Sequence, residues 1–159
     1  MRGTGEWVAH NLCSVNSILP KELQYYGIGY LSKAFGLWYA NVQTCIGMTQ
    51  WTSPSVRLHS YFGDFEVLTA YTPVHSYGMT LTYRLNVEPA SWGHFFLKQP
   101  REGFQTNHVP AGFMVDRANE KSLIEFQKKL EAGEGPFYLD SRETIVKELT
   151  EPLTIYRKI

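Results

Sequence analysis

The stretch from Ser55 to Val87 constrains the fold most strongly, because three signals of β-structure follow one another there. Residues 56–61 and 79–87 alternate apolar with polar side chains, and a period of two is typical of half-buried strands. Between them, the sequence Phe-Gly-Asp-Phe at 62–65 is typical of a tight reversal in which Gly63 can adopt positive φ. We therefore predict three consecutive antiparallel strands as the structural centre of the chain.

Residues 21–46 fit two different patterns of secondary structure. Apolar side chains recur at spacings of three and four from Leu31 to Cys45, as on a helix, but residues 38–46 also alternate as in a strand. The β-branched and aromatic side chains in the second half of this segment favour a mixed assignment. We predict a helical or turn segment near 21–34 and a strand near 37–46.

The last third of the chain is typical of alternating strands and helices. Asn119 is a common N-cap residue and predicts a helix over 122–132. A capping-box pattern predicts a second helix over 141–149, with Ile145, Val146 and Leu149 pointing inward. Short strands are predicted at 112–115, 137–139 and 153–156. Strands in the middle and helices interleaved at the end predict an α+β domain with a mainly antiparallel central sheet flanked by helices.

A chain of 159 residues fits a single domain, 1–159, that can bury a core without a metal or a disulfide. Residues 1–20 are predicted to form a short helix or a loosely packed N-terminal arm. Cys13 and Cys45 lack metal-ligand spacing, which indicates buried thiols in a reducing compartment, although a disulfide between them stays open. No apolar window approaches the length of a membrane span or of a signal peptide, so we expect a soluble, cytoplasmic protein.

The formal net charge is zero, which argues against nucleic acid as a partner because binding phosphates needs a net basic surface. Residues 1–100 hold 6 basic and 5 acidic side chains, and residues 101–159 hold 9 and 10. The front of the chain is instead aromatic, since 16 of the 23 Phe, Trp and Tyr residues lie between Tyr25 and Phe96. Some tyrosine hydroxyls there should line a wet cavity or an interface, because a buried hydroxyl needs a hydrogen-bond partner.

The segment FMVDRANEKSLIEFQKKLEAG, from Phe113 to Gly133, is followed by a predicted strand, a predicted helix and the terminal LTIYRKI. This order resembles the closing part of the GNAT superfamily of N-acyltransferases, and the resemblance covers roughly the last third of the chain. TLTYRLNVEP resembles the family's central strand. Two features depart from the family pattern: Phe126 stands where a tyrosine usually protonates the coenzyme A thiolate, and ASWGHFF, with a single Gly93, replaces a Gly-rich turn for pyrophosphate.

The resemblance implies a GNAT-like fold and an acyltransferase that uses a coenzyme A thioester as donor and a small or macromolecular amine as acceptor. Leu85, Asn86 and Val87 would pair with the donor through backbone groups, and Asn119 would orient it. These four residues are therefore the predicted cofactor-binding set.

The predicted catalytic set consists of His75, Glu66 and Tyr83. His75 or Glu66 would deprotonate the amine acceptor, and Tyr83 lies on the strand that resembles the family's central strand. His75 is the best general-base candidate, because it follows Pro73 at a strand boundary, where side chains commonly face a cleft.

Histidines and carboxylates near the predicted hairpin also admit a metal site or a shared proton, through His59, His75, Asp64 and Glu66. Their spacing matches no familiar ligand motif, and the turn explains Asp64, so we expect no metal. Arg84 either anchors an anionic ligand or, as we expect, pairs with Glu66 at the surface.

A second class of function stays open, namely a non-enzymatic binding module. Its aromatic sheet face or an oligomer interface would hold an apolar or planar ligand or a protein partner, including a second copy in a homo-oligomer. Residues 97–111 form a polar loop that is equally typical of a lid and of a disordered segment. We expect no membrane partner.

Overall fold

The computed structural model describes residues 6–8, 19–24, 27–73, 79–97 and 107–159. Within these ranges the strands are β1 (Glu6–Val8), β2 (Thr44–Gln50), β3 (Asp64–Thr69), β4 (Thr80–Asn86), β5 (His108–Val115), β6 (Phe137–Leu139) and β7 (Leu153–Lys158). The α-helices are α1 (Ile28–Tyr39), α2 (Ser55–Ser60), α3 (His94–Leu97), α4 (Glu120–Glu131) and α5 (Ser141–Thr144). Short 3-10 turns lie at Lys21–Leu23 and Pro89–Trp92. Across the described ranges, none of these helices is long and apolar enough to cross a membrane.

The strands form one sheet in the order β1-β2-β4-β3-β6-β7-β5. β1 runs parallel to β2, and the other neighbouring strands run antiparallel. The prediction of an α+β fold around a mainly antiparallel sheet is therefore confirmed. β4, the predicted strand at 79–87, lies between β2 and β3, whereas β5 lies at the far edge with three strands between it and β4.

The two faces of the sheet differ in what packs against them. Directly paired residues share a face, so Tyr83, Val67 and Phe137 point to the same side, where all three are buried. Helices cover this side: His59 of α2 lies 5.0 Å from Tyr83 between ring centres, and Phe126 of α4 lies 5.5 Å from Phe137. We call it the helix face.

The opposite side, which we call the polar face, carries the residues that alternate with this row. Arg84, Glu66 and Tyr138 are paired across β4, β3 and β6. Arg84 and Glu66 form an ion pair with an N–O distance of 3.2 Å, as predicted. The alternation along β4 therefore separates an apolar helix face from a charged polar face.

Residues 55–60 form helix α2, so the predicted first strand and its hairpin are wrong. Pro54 has φ −55°, which suits the start of a helix. The buried residues Val56 and Ser60 are four apart and lie on one helical face. The Ser60 hydroxyl bonds the Thr144 hydroxyl of α5 at 2.6 Å, so tertiary packing selects the helix over the strand.

Gly63 precedes β3 and has a different role from the predicted one. Its φ lies outside the left-handed region, so no turn requires the glycine. A Cβ at this position would lie 2.1 Å from the carbonyl oxygen of Asn86. Gly63 therefore permits the close approach of the chain to the end of β4.

Helix α1 continues to Tyr39 and β2 begins only at Thr44, so the predicted change from helix to strand lies too early in the chain. The helix buries Ala34 and Leu37. Leu31, which belongs to the predicted apolar stripe, is instead 51% exposed. Apolar residues cover most of the circumference of α1, so their spacing does not identify the buried side.

The predicted helix after Asn119 is confirmed. The Asn119 side chain accepts a hydrogen bond from the backbone N–H of Lys121 at 3.0 Å, and α4 buries Leu123 and Phe126. The strands predicted in the last third are also present, although β5 begins earlier, at His108, and β7 ends later than predicted.

The predicted helix over 141–149 is too long, because α5 ends at Thr144. Ile145 and Val146 are 44% and 78% exposed, so their predicted inward orientation is wrong. The buried Arg117 guanidinium donates hydrogen bonds to backbone carbonyl oxygens of residues 148 and 151 and holds the following segment in an irregular path.

Candidate functional site

Four side chains with reactive chemistry converge on the helix face, and we call them the Lys33 cluster. Lys33 comes from α1, Cys45 from β2, His59 from α2 and Tyr83 from β4. Cys45 is buried on the same side of β2 as Gly47, the residue paired with Tyr83. The cluster therefore lies between the first two helices and the centre of the sheet.

Lys33 is the one charged residue of α1, and its side chain lies on the inner side of the helix. Its Nζ donates a hydrogen bond to His59 Nδ1 and lies 5.5 Å from the centre of the Phe62 ring. Burial lowers the pKa of Lys33 to about 8, while nearby Cys45 opposes this shift. About a tenth of the amine is therefore neutral at pH 7, and hence nucleophilic and basic, far more than for an ordinary lysine.

His59 is neutral at physiological pH. Burial, and secondly the positive charge of Lys33, lower the pKa of its imidazole to about 3. Its Nδ1 lone pair is thus available to accept the hydrogen bond from Lys33, which leaves Nε2 to carry the proton. The His59 ring in turn lies against the Tyr83 ring, with centres 5.0 Å apart, so His59 contacts both Lys33 and Tyr83.

Tyr83 is fully buried, and its ring stacks on Phe65 with centres 4.4 Å apart. Its hydroxyl has no hydrogen-bond partner among the residues that the structure describes. Burial raises the pKa of Tyr83, so the hydroxyl keeps its proton and can donate it to a hydrogen bond. Gly47 leaves room for this hydroxyl, because a Cβ there would lie 2.3 Å from it.

The Lys33 cluster combines the groups that carbonyl chemistry requires. A partly neutral amine can act as base or nucleophile, and an unpaired hydroxyl can stabilise a carbonyl oxygen as negative charge develops on it. Lys33 and His59 are only partly buried, whereas Tyr83 is fully buried. Buried polar groups with shifted pKa values are typical of functional sites.

The sequence prediction identified only part of this site. Tyr83, a predicted catalytic residue, belongs to the Lys33 cluster, and His59, considered only as a metal ligand, joins it. Lys33 was missed, although a single lysine within the apolar segment of α1 was a usable signal. His75 lies outside the described residues.

Glu66, the other predicted base, lies on the polar face, so the sheet separates it from Tyr83. It pairs with Arg84 and borders an open pocket of about 490 Å³ beside Leu130 and Glu131 of α4. Glu66 and Tyr83 therefore cannot act together on one small substrate.

The predicted cofactor-binding residues of β4 do not all face the same side of the sheet. Leu85 and Val87 are buried, while Asn86 points to the polar face, where it pairs with Asp64. β4 is bonded on both sides, and the Val87 N–H donates to the Gln43 carbonyl oxygen at 2.8 Å. The sheet thus already uses backbone groups that an acyl donor would need.

A second polar cluster lies at one end of the polar face. The buried His108 ring has Nε2 3.3 Å from an Asp64 oxygen and Nδ1 3.8 Å from an Asp140 oxygen. Burial opposes ionisation of Asp64, but the neighbouring His108 ring and the hydrogen bond from Lys158 prevail and lower its pKa. The Lys158 ammonium lies 2.7 Å from Asp64, so this cluster ties the ends of β3, β5, β6 and β7 together. Within the described ranges, no three His, Cys, Asp or Glu side chains are arranged to hold a metal ion.

The shifted pKa of His59 predicts a loss of stability in acid. Between about pH 6.5 and pH 3 the unfolded chain binds a proton at His59 that the folded chain does not, so stability falls as the pH is lowered. Replacing His59 by Gln should reduce the stability lost between about pH 7.5 and 4.5 by about 2 kcal/mol. Urea titrations at the two pH values measure this difference, with His94→Gln as the control for an exchanged histidine. Equal losses in the wild type and in His59→Gln would contradict the neutral state of His59.

Comparisons of the chain with protein-family models, with curated proteins and with solved structures find no match.

Proposed function

We propose that this protein is an enzyme that transfers an acyl group to an amine, with the Lys33 cluster as its reaction centre. The observation that carries the proposal is the contact between the Lys33 amine and His59, whose ring lies 5.0 Å from the ring of Tyr83, a residue whose hydroxyl has no partner within the described part of the chain. A coenzyme A thioester is the expected acyl donor.

Acyl transfer to an amine requires a base for the acceptor and a hydrogen-bond donor for the carbonyl oxygen. Lys33, with a pKa of about 8, is suited to take a proton from the attacking amine near neutral pH. Tyr83 supplies the hydrogen bond to the oxygen, and His59 acts as a positioning residue for Lys33. The attacking amine thus has Lys33 as its base, and the carbonyl oxygen has Tyr83 as its hydrogen-bond donor.

The strand order requires a particular route for the acyl donor. An acyl donor cannot enter between β4 and β5, because three strands lie between them. The donor therefore approaches the Lys33 cluster through the helix layer, beside α1 and α2, where Lys33 and His59 are partly exposed.

A second candidate function is a non-enzymatic interaction module, and the outer side of α1 favours it. The exposed apolar side chains on this side are Ile28, Leu31, Phe35 and Tyr39, while the exposed Tyr30 ring contacts Tyr61 and Phe62. An uncharged apolar surface of this kind is typical of interfaces, including those between copies of one chain.

Acetyl-coenzyme A with a panel of primary amines tests the first proposal, by thermal shift and by release of the free thiol. We expect Lys33→Met to lower the rate at least about 100-fold and Tyr83→Phe about 10- to 100-fold. Lys121→Met, which removes an exposed lysine of α4, is the matched control and should leave the rate unchanged.

A flat thermal response over a wide range of acetyl-coenzyme A concentrations, without thiol release, would eliminate acyl transfer. Light scattering of the wild type and of Phe35→Glu then decides the second candidate. A dimer that Phe35→Glu converts to a monomer supports the interaction module, and a monomer in both proteins contradicts a homo-oligomer.

A further inference from the structure

We infer that Lys33 is a covalent nucleophile that forms an imine with uncharged aromatic aldehydes at the helix face. This inference rests on the proposed assignment of the Lys33 cluster as a reaction centre, but it does not require acyl transfer. The geometry of three groups carries it: the amine of Lys33, the imidazole of His59 and the hydroxyl of Tyr83.

Aromatic rings border the amine and determine the class of carbonyl compound. The Phe62 ring lies 5.5 Å from Lys33 Nζ and contacts the rings of Tyr30 and Tyr61, with centres 6.1 and 5.4 Å away. The His59 ring forms another planar surface beside the amine. Phe62 itself is fully buried, so the tyrosine rings that an aldehyde can reach are those of Tyr30, which is exposed, and Tyr61, which is partly buried. A planar aromatic aldehyde packs more favourably against these rings than a short aliphatic one does.

No charged side chain other than Lys33 belongs to this part of α1, so the site favours an aldehyde without a charged substituent. Arg57, the next cation on α2, donates from Nη2 to the backbone carbonyl of Lys147 at 2.6 Å. Its guanidinium thus bonds the segment after α5, and its positive charge also acts on the nearby Tyr30 hydroxyl.

The covalent step uses the groups that are already in place. The lone pair of Lys33 Nζ attacks the carbonyl carbon, a C–N bond forms, and the carbonyl oxygen becomes a hydroxyl that can accept a hydrogen bond from Tyr83. One proton of the nitrogen passes to the carbonyl oxygen to form that hydroxyl, and the second leaves with the hydroxyl as water, while His59 Nδ1 holds the amine in place through their hydrogen bond. Amine and aldehyde thus yield one imine and one water, with no oxidant or reductant.

Salicylaldehyde with sodium cyanoborohydride tests the inference, because cyanoborohydride reduces the imine to a stable secondary amine. Peptide mass spectrometry of the full chain then gives the rate of labelling at each lysine. We expect Lys33 to be labelled at least about 10-fold faster than the exposed Lys121 and Lys128 at pH 7, since only a neutral amine reacts.

Three further measurements separate a reaction centre from a merely accessible lysine. The rate at Lys33 should rise with pH with a midpoint near 8, the pKa of its amine. Tyr83→Phe should slow labelling at Lys33 about 10-fold and leave labelling at Lys121 unchanged. Propanal should show a smaller preference for Lys33 than salicylaldehyde does.

The inference would be overturned if salicylaldehyde and propanal both labelled Lys33 at the same rate as Lys121. Fast labelling without any acyl transfer would retain Lys33 as a nucleophile and remove only the proposed reaction class. Acyl transfer without fast labelling would retain the proposed reaction class and remove Lys33 as a covalent nucleophile.

Discussion

Replacing Gly47 by alanine is expected to lower the free energy of unfolding by about 2–3 kcal/mol, because overpacking a closed core forces neighbouring groups apart. The new Cβ would lie 2.3 Å from the Tyr83 hydroxyl oxygen and 2.5 Å from the ring carbon that carries it. Tyr83 has little freedom to move away, since it stacks on Phe65 on one side and contacts the His59 ring.

A matched glycine provides the control for this prediction. Gly36 lies inside α1, and a Cβ there would meet no heavy atom within 4 Å. Gly36→Ala should therefore raise the free energy of unfolding by up to about 1 kcal/mol, because alanine favours the helix. Urea unfolding measures both variants.

A double variant locates the clash. Tyr83→Leu shortens the side chain that faces Gly47, so adding Gly47→Ala to it should cost less than about 1 kcal/mol. A cost in the Tyr83→Leu background equal to that in the wild type would show that the predicted contact between Gly47 and Tyr83 is not responsible. A neutral Gly47→Ala would contradict the placement of Tyr83 itself.

Replacing Arg117 by methionine should cost about 2–3 kcal/mol, because a fully buried guanidinium is removed from the carbonyl oxygens that it satisfies. Arg117 Nε donates to the Glu151 carbonyl at 2.9 Å, and Nη2 donates to the Glu148 carbonyl. Both acceptors then lose their bonds, and methionine offers no donor in return.

Arg157 supplies the control for the loss of Arg117. It is exposed, and its Nη2 donates to the Glu134 carbonyl oxygen at 3.3 Å, so Arg157→Met should cost less than about 1 kcal/mol. Trypsin cleavage after Lys147 gives a local measurement, because Arg117→Met should free the segment after α5 and accelerate that cleavage. Unchanged stability and unchanged cleavage in Arg117→Met would refute the assigned role.

Elements with strong local signals were predicted correctly from the sequence. β4 alternates over seven residues, and one of its faces is fully buried, so a period of two identifies it. Asn119 caps α4 through a bond to the backbone two residues away, which is also a local interaction. The strand predicted at residues 55–60 was wrong because six alternating residues are also compatible with one turn and a half of helix. The contact between Ser60 and the distant Thr144 selects the helix.

The Lys33 cluster could not be predicted from the sequence, because it is formed by contacts between residues that lie far apart in the chain. Lys33 and His59 lie 26 residues apart, and His59 contacts both Lys33 and Tyr83 only because α2 covers the side of β4 on which the Tyr83 ring lies. By itself, the sequence determined which segments form β4, α4 and β6, because those signals depend on neighbouring residues. The tertiary structure alone decided which face each helix covers, and hence that Tyr83 meets Lys33 and His59 while Glu66 is on the opposite face. The physical reason is that burial and shifted pKa values arise from the order of the strands, and that order is set by contacts between residues far apart in the chain.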